Sequence, residues 1–209
     1  MVETVIVANG EFPKKGGAAW RLVAEAKRIV CCDGAADTYR RRFHRWPDVV
    51  IGDLDSLATA SCCCTLVVSP DQDTNDLEKA MTYCAKQGWR NPVIVGATGK
   101  RDDHTIGNVF RALDYGCVIV TDTGRFVPVC GKASFKVAKG AAVSVFAPDP
   151  KTRMTSKGLE WPLDEVRFRN LYCATLNRTT AAHVTLTATH PVCVFFVSPD
   201  GDRQISKVL

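Results

Sequence analysis

Apolar residues recur along the chain in two rhythms, and the change from one to the other divides it. At first, short apolar runs alternate with stripes at helical spacing. Val5 to Ala8 is such a run; Leu22, Val23, Ala26 and Ile29 then follow a helical stripe, and Ile29 to Cys32 reads as a second strand. Asp48-Val-Val-Ile-Gly52 and Leu66-Val-Val-Ser69 are predicted strands. Leu77, Ala80, Met81, Cys84 and Ala85 form one helical stripe, with Asn75 and Glu78 spaced as a capping box and Gly88 as the stop. Val93 to Gly96 is a further strand, Ile106, Val109, Phe110 and Leu113 a further stripe, and Val118 to Val120 closes the series. Evenly apolar strands between helices predict a parallel sheet covered on both faces, with a ligand site at the carboxyl ends of the strands.

Beyond about Phe126 the helical period stops. Ala142 to Phe146, Val166 to Phe168, Val184 to Thr189 and Val192 to Ser198 are strand-like stretches between turn clusters such as Ala147-Pro-Asp-Pro150 and Pro199-Asp-Gly-Asp202. The predicted fold class is therefore α/β: a three-layer α/β domain with a mostly parallel sheet over residues 1–130, then an antiparallel β-sandwich over 131–209.

Composition narrows the picture. A chain of 209 residues that is 46% hydrophobic and 23% charged has ample core and is not disordered. Its longest apolar runs fall far below the ~20 residues of a spanning helix, and Met-Val-Glu-Thr offers no basic region of a signal peptide, so a cytoplasmic protein without a membrane partner is expected. The 10 cysteines include adjacent pairs but no Cys-x-x-Cys, which fits neither a zinc ribbon nor a secreted disulfide framework and predicts reduced, mostly buried thiols. The net charge of +5 is mild, and Arg40, Arg41, Arg42 and Arg45 lack interleaved aromatics, so no nucleic-acid partner is expected.

The polar residues gather where strands end. Asp53 and Asp55 stand at i and i+2 just past a strand, on one face of an extended chain. Turn chemistry explains them, and so does a cation between them, since Mg²⁺ takes one or two carboxylates with waters and phosphate oxygens. Ser69-Pro-Asp71-Gln72-Asp73-Thr74-Asn75-Asp76 brings further acids to the same edge, more than helix capping uses, and lacks the Gly and Glu offsets of an EF-hand. Gly96-Ala-Thr98-Gly99-Lys100-Arg101-Asp102-Asp103-His104 joins strand to helix through glycines, a hydroxyl and cations, the groups that hold phosphate. It is neither a Walker A loop nor a Gly-x-Gly-x-x-Gly fingerprint. Acids for a metal beside cations for phosphate point to a metal-nucleotide site.

These segments carry a resemblance. Ile51-Gly-Asp-Leu-Asp-Ser56, Pro70-Asp-Gln-Asp-Thr-Asn-Asp-Leu-Glu-Lys-Ala80 and Gly96-Ala-Thr-Gly-Lys-Arg-Asp-Asp-His-Thr-Ile-Gly-Asn108 resemble, in order, the three signature stretches of the thiamine pyrophosphokinase family. Cys32-Asp33-Gly34-Ala-Ala36 is similar to its early Asp-Gly-Ala stretch, and Lys157-Gly-Leu-Glu-Trp161-Pro-Leu163 to part of its C-terminal domain. The resemblance implies a homodimer with active sites between subunits, and Mg²⁺-dependent transfer of pyrophosphate from ATP to the hydroxyl of thiamine, giving thiamine diphosphate and AMP. It implies that Asp53, Asp55, Asp71, Asp73 and Asp76 hold Mg²⁺ and orient the triphosphate, with Arg101 on phosphate oxygens. Asn9, Asp33, Gly34, Gln72, Thr74, Thr98, Gly99 and Lys100 are then nucleotide-binding. Asp103, His104, Asn108, Trp161, Thr175 and Asn177 face the acceptor.

Ala174-Thr175-Leu176-Asn177 stands where the resemblance leads one to expect Ser-x-Ser-Asn. The alternative reading is the same pyrophosphoryl transfer to another small alcohol such as a hydroxymethylpterin. A metal-dependent phosphohydrolase and a nucleotide sensor without turnover are the rival readings of the same acids. His104 also suits local hydrogen bonding at a helix start, and Trp161 suits packing as well as stacking.

Overall fold

The computed structural model describes residues 2–53, 63–69 and 73–198. Contacts divide the chain into two compact units, Met1–Arg111 with Ile119–Thr121, and Ala112–Val118 with Asp122–Leu209.

Up to Thr121 the chain runs through strand β1 (Thr4–Val7), helix α1 (Ala18–Glu25), β2 (Arg28–Cys32), α2 (Ala35–Phe43), β3 (Val49–Gly52), β4 (Thr65–Val68), α3 (Asp76–Lys86), β5 (Val93–Val95), α4 (Asp102–Asp114) and β6 (Val118–Val120), of which the last turn of α4 and Val118 count with the second unit. The strand order is β6-β5-β1-β2-β3-β4. β2 and β5 flank β1 in parallel, β3 runs parallel to β2, and β4 to β3. Every residue of β1, β3 and β5 is buried, which is what evenly apolar runs require of strands covered on both faces. β4 lies at the edge and leaves Leu66 and Val68 exposed.

The path steps outward from β1 to β4 and returns through α3 to β5 on the other side of β1, so the connections reverse direction between β1 and β5. Right-handed crossovers then place the helices of the outward path on one face and those of the return path on the other. Side chains agree: Trp20 of α1 stacks on Phe43 of α2 with centroids 4.6 Å apart, while Asn75, the N-cap of α3, reaches Asn108 of α4. Two stripe assignments change. Ile29 belongs to β2 alone, because α1 ends at Glu25 with Ala26 as its cap, and Ile106 of α4 is exposed.

The second unit contains β7 (Gly124–Lys136), β8 (Ala142–Phe146), β9 (Met154–Lys157), β10 (Ala174–Arg178) and β11 (His183–Val197). β7 runs on through residue 130, and the units change over after Thr121, inside the 121–140 stretch in which the change of sequence rhythm places a boundary. The stretches 184–189 and 192–198, expected as separate strands, form the single strand β11, whose register against β7 shifts between Ala188 and Val192. Pro191, which has no N–H to give a ladder, lies inside that shift. Val166 to Phe168 is not a strand: it is irregular, and its apolar character comes from Phe168 plugging the core at 1% exposure.

The sandwich is made by folding one ribbon. β8 pairs with the C-terminal half of β11 and β9 with its N-terminal half, all antiparallel. In register, Phe135 lies opposite Val184 and Arg125 opposite Phe196. Arg125 and Lys136 of β7 would stand roughly 35 Å apart on a flat strand. Yet the Arg125 Nη2 donates to the Lys136 carbonyl at 3.2 Å, and the rings of Phe135 and Phe196 are 5.1 Å apart. The two layers therefore share β7 and β11. No helix among the described residues is long and apolar enough to cross a membrane.

Candidate active site

A cavity of about 340 Å³ opens in the first unit at the carboxyl ends of β1, β2 and β5. Ala8, Asn9 and Gly10 line it after β1, and Cys32 at the end of β2; Asn75, Asp76 and Leu77 come from the start of α3. Ala97, Gly99, Lys100 and Arg101 follow β5, with His104 and Asn108 on α4. It occupies the place where the connections reverse, the position at which open α/β sheets bind ligands.

The turn after β5 is held open by its own backbone. Gly96, Gly99 and Lys100 have φ of +65°, +75° and +54°, so the carbonyls curl back instead of continuing the strand. Gly10 N–H donates to the Gly96 carbonyl and Glu11 N–H to that of Thr98, each at 2.7 Å. A Cβ on Gly10 would lie 2.3 Å from the Gly96 oxygen and 2.5 Å from that of Thr98, so only glycine lets the two loops meet. Lys100 Nζ donates to both the carbonyl and Oδ1 of Asn9 at 3.1 Å, and Gly34 leaves room for the Asn9 amide, which a Cβ there would approach to 3.1 Å. Four residues predicted to bind nucleotide, Asn9, Gly34, Gly99 and Lys100, are thus assembled by three loops, those after β1, β2 and β5.

Arg101 turns its fork to Asp103, with Nε and Nη2 donating to the two carboxylate oxygens at 3.1 and 2.5 Å. Hydrogen bonding from Arg101 holds the Asp103 carboxyl down at about 2, so it is ionised throughout the neutral range. The pair is exposed, and an anion of matching geometry can take the place of Asp103 on the fork.

On the opposite lip the acid that lines the cavity is Asp76. Asp76 opens α3, and Lys79, one turn on, donates to its Oδ1 at 3.4 Å and to the Ser69 carbonyl at 3.0 Å. Burial raises the Asp76 carboxyl above the ordinary range, Lys79 opposes this, and the charges of Asp33 and Asp53 add to it. Asp33 is only 5% exposed, sits in the left-handed region at φ 35°, and has an Oδ1 with no hydrogen-bond partner. A buried, unsatisfied carboxylate oxygen among like charges is a costly arrangement that a cation relieves.

Asp73 and Thr74 immediately precede the α3 cap, whereas Asp55, Asp71 and Gln72 lie outside the described residues. Among the described residues no group of three or more His, Cys, Asp and Glu side chains is arranged to hold a metal ion by itself. Gly10, Cys32 and Asn75 were not singled out from the sequence as site residues. Gly10 had a readable signal in its place directly after an apolar strand; Cys32 had none, because strand thiols are ordinarily core.

Trp161, Thr175 and Asn177 belong to the second unit. Trp161 is 54% exposed, while Asn177 is buried. The Asn177 amide is spent on main chain: Nδ2 donates to the Trp161 carbonyl at 2.7 Å, and Oδ1 accepts from the N–H groups of Trp161 and Arg178 at 3.2 and 2.8 Å. Thr175 Oγ1 donates to the Tyr172 carbonyl at 3.1 Å. Asn177 therefore holds the loop that presents Trp161. Asn177→Ala is expected to lose about 1–3 kcal/mol of stability in urea unfolding, because main-chain groups are left unsatisfied. An unchanged midpoint would mean that the loop does not depend on it.

Comparison with known proteins follows the same division. The model of the thiamin pyrophosphokinase catalytic domain matches residues 19–118, and that of the thiamin pyrophosphokinase substrate-binding domain matches residues 124–195. Thiamin pyrophosphokinase 1 of Caenorhabditis elegans is 33% identical over 133 residues, covering 57% of this chain and 55% of that protein, so the match spans about half of the relative's length. Thiamine pyrophosphokinase 1 of Arabidopsis thaliana is 27% identical over 207 residues, 80% of this chain and 76% of the relative. Among solved structures, thiamin pyrophosphokinase from Geobacillus thermodenitrificans superposes with a TM-score of 0.73 at 21% identity over 100% of both chains. The yeast thiamin pyrophosphokinase gives 0.74 at 13% identity over 98% of this chain and 89% of its own. At these identities the structures speak for the fold, and the family assignment rests on the two domain models. Matched in succession along both units, they show that the chain belongs to the thiamin pyrophosphokinase family.

Proposed function

We propose that this protein transfers the pyrophosphoryl group of ATP to the hydroxyl of thiamine, giving thiamine diphosphate and AMP, with Mg²⁺ bound alongside the nucleotide. The observation that carries this reading is the single cavity in which the Gly96–Arg101 turn and the acidic start of α3 face each other. One lip offers Lys100 and Arg101 to phosphate oxygens; the other offers the Asp76 carboxylate, with the charges of Asp33 and Asp53 acting on it.

The residues suit Mg²⁺. Asp76, with Asp53 and Asp33 close enough to raise its proton affinity, supplies the one or two carboxylates the ion needs, the remaining positions being phosphate oxygens and water. Asp73 and the sequence positions Asp55 and Asp71 complete the proposed set. When bound, the ion neutralises charge on the phosphates and stabilises the charge that moves during transfer. The chain's own groups do the rest. Arg101 exchanges Asp103 for a phosphate oxygen, Lys100 holds the Asn9 loop against the triphosphate, and Lys79 keeps Asp76 aimed. The thiamine hydroxyl oxygen forms a bond to the β-phosphorus, the bond from that phosphorus to the α,β-bridging oxygen breaks, the hydroxyl proton passes to solvent, and AMP departs carrying the bridging oxygen.

The proposal extends to a cytoplasmic homodimer with active sites between subunits; the exposed apolar side chains of Trp161, Tyr172 and Leu176 support an interface or a ligand on that surface. Leu176, at 88% exposure, and buried Ala174 offer no hydroxyl to an acceptor, which keeps hydroxymethylpterin in the test. Purified protein with Mg-ATP and either thiamine or hydroxymethylpterin is expected to release AMP in step with diphosphorylated thiamine. AMP with the pterin alone overturns the acceptor, and ADP or free phosphate as the product overturns the transfer.

A further inference from the structure

The two lips of the cavity are joined by a chain of side-chain amides. Asn75 caps α3 by accepting the Glu78 N–H on Oδ1 at 2.9 Å. Its Nδ2 donates across to Oδ1 of Asn108 on α4 at 3.2 Å, and Nδ2 of Asn108 donates to the Ala97 carbonyl at 2.9 Å. Both ends of the chain are main chain, one on the helix that carries Asp76 and the other on the turn that carries Lys100 and Arg101.

Polarity makes the chain a unit. Because Asn75 Oδ1 must accept from a backbone N–H, its Nδ2 is the group left to face Asn108. Because Asn108 Nδ2 must donate to a backbone carbonyl, its Oδ1 is the group left to face Asn75. Flipping either amide sets donor against donor or acceptor against acceptor. One helical turn further on, Arg111 pairs with Glu78, again joining α4 to α3 at the same separation of 33 residues. That ion pair fixes the helices side by side; the amide chain fixes how far the turn stands from the acids.

We infer that Asn75 and Asn108 are positioning residues that set the spacing between the carboxylate lip and the phosphate turn. The kinetic part of this inference rests on the proposed pyrophosphoryl transfer; the structural part does not. Asn75→Ser separates the roles, because Ser caps a helix about as well as Asn but is too short to reach Asn108.

The experiment compares the wild type with Asn75→Ser, Asn108→Ala and the double variant. Hydrogen exchange of the Gly10 and Glu11 amides, which donate to the turn carbonyls of Gly96 and Thr98, is followed together with AMP formation. Asn75→Ser is expected to keep the thermal midpoint, to speed exchange of those amides roughly tenfold, and to lower kcat roughly 10- to 100-fold with a smaller change in KM. The double variant is expected to lose no more than Asn108→Ala alone. Wild-type exchange and kcat in Asn75→Ser would reduce Asn75 to a cap and overturn the inference. A loss confined to Asn108→Ala and to acceptor KM would instead assign Asn108 to the acceptor directly and overturn it as well. If the wild type forms no AMP, the transfer reading falls, and the exchange rates still decide the amide chain.

Discussion

Asp76→Asn is expected to lower kcat for AMP formation roughly 100-fold or more, the scale of removing a group that holds the charge-stabilising ion in place, without destabilising the fold. The stability part follows from the direction of the carboxyl's shift. Burial raises the Asp76 proton affinity in the folded state by more than the attraction of Lys79 lowers it. An acid whose folded value lies above its unfolded one favours folding most when protonated, and it loses that contribution as pH rises through the folded value. At neutral pH the ionised carboxylate is therefore a cost kept for function, and the amide does not carry it. The thermal midpoint of Asp76→Asn should equal or exceed that of the wild type at pH 7, with the difference shrinking toward acid pH. A near-wild-type kcat would remove Asp76 from the nucleotide-metal site, and a lower midpoint at pH 7 would contradict the electrostatic balance.

Gly10→Ala is the second large effect, and it acts through backbone. The added methyl would meet the Gly96 and Thr98 carbonyl oxygens at 2.3 and 2.5 Å, and neither is the end of a flexible side chain. Either the loop after β1 retreats or the turn after β5 does, and both bonds from Gly10 and Glu11 to that turn are strained or lost. Overpacking of this kind costs about 1–3 kcal/mol. Because the displaced turn carries Lys100 and Arg101, the KM for Mg-ATP should rise roughly tenfold or more, while substrate-independent spectra stay native. Equal unfolding midpoints and equal KM values for variant and wild type would show that the two loops are not packed as described.

The alternation of strand and helix was legible because each strand of the parallel sheet is apolar on both faces, a pattern that needs no partner to be read. The α3 start was legible too: Asn75 accepts the Glu78 N–H as the spacing predicts, and Gly88 follows the helix at φ +69°. The Glu78 carboxylate also pairs with Arg111 on another helix. No local spacing announces that partner. Val166 to Phe168 misled for a related reason, since an apolar residue that plugs a core from a loop looks in sequence like one in a strand. β7 escaped notice because Pro128, Gly131 and Lys132 interrupt its alternation where the ribbon bends.

By itself the sequence determined which chemistry is available: acids after two strands, a cationic glycine turn after another, and their order in the family's pattern. It could do so because short segments carry their own propensities and because residue type sets charge and donor capacity. Only the tertiary structure decided which of these groups meet. The reversal of connections between β1 and β5 creates the crevice, the absent Cβ of Gly10 lets two loops close to hydrogen-bonding distance, and Asn75 faces Asn108 across two helices. Those are properties of distance between residues far apart in the chain, and distance is settled by packing rather than by any local pattern.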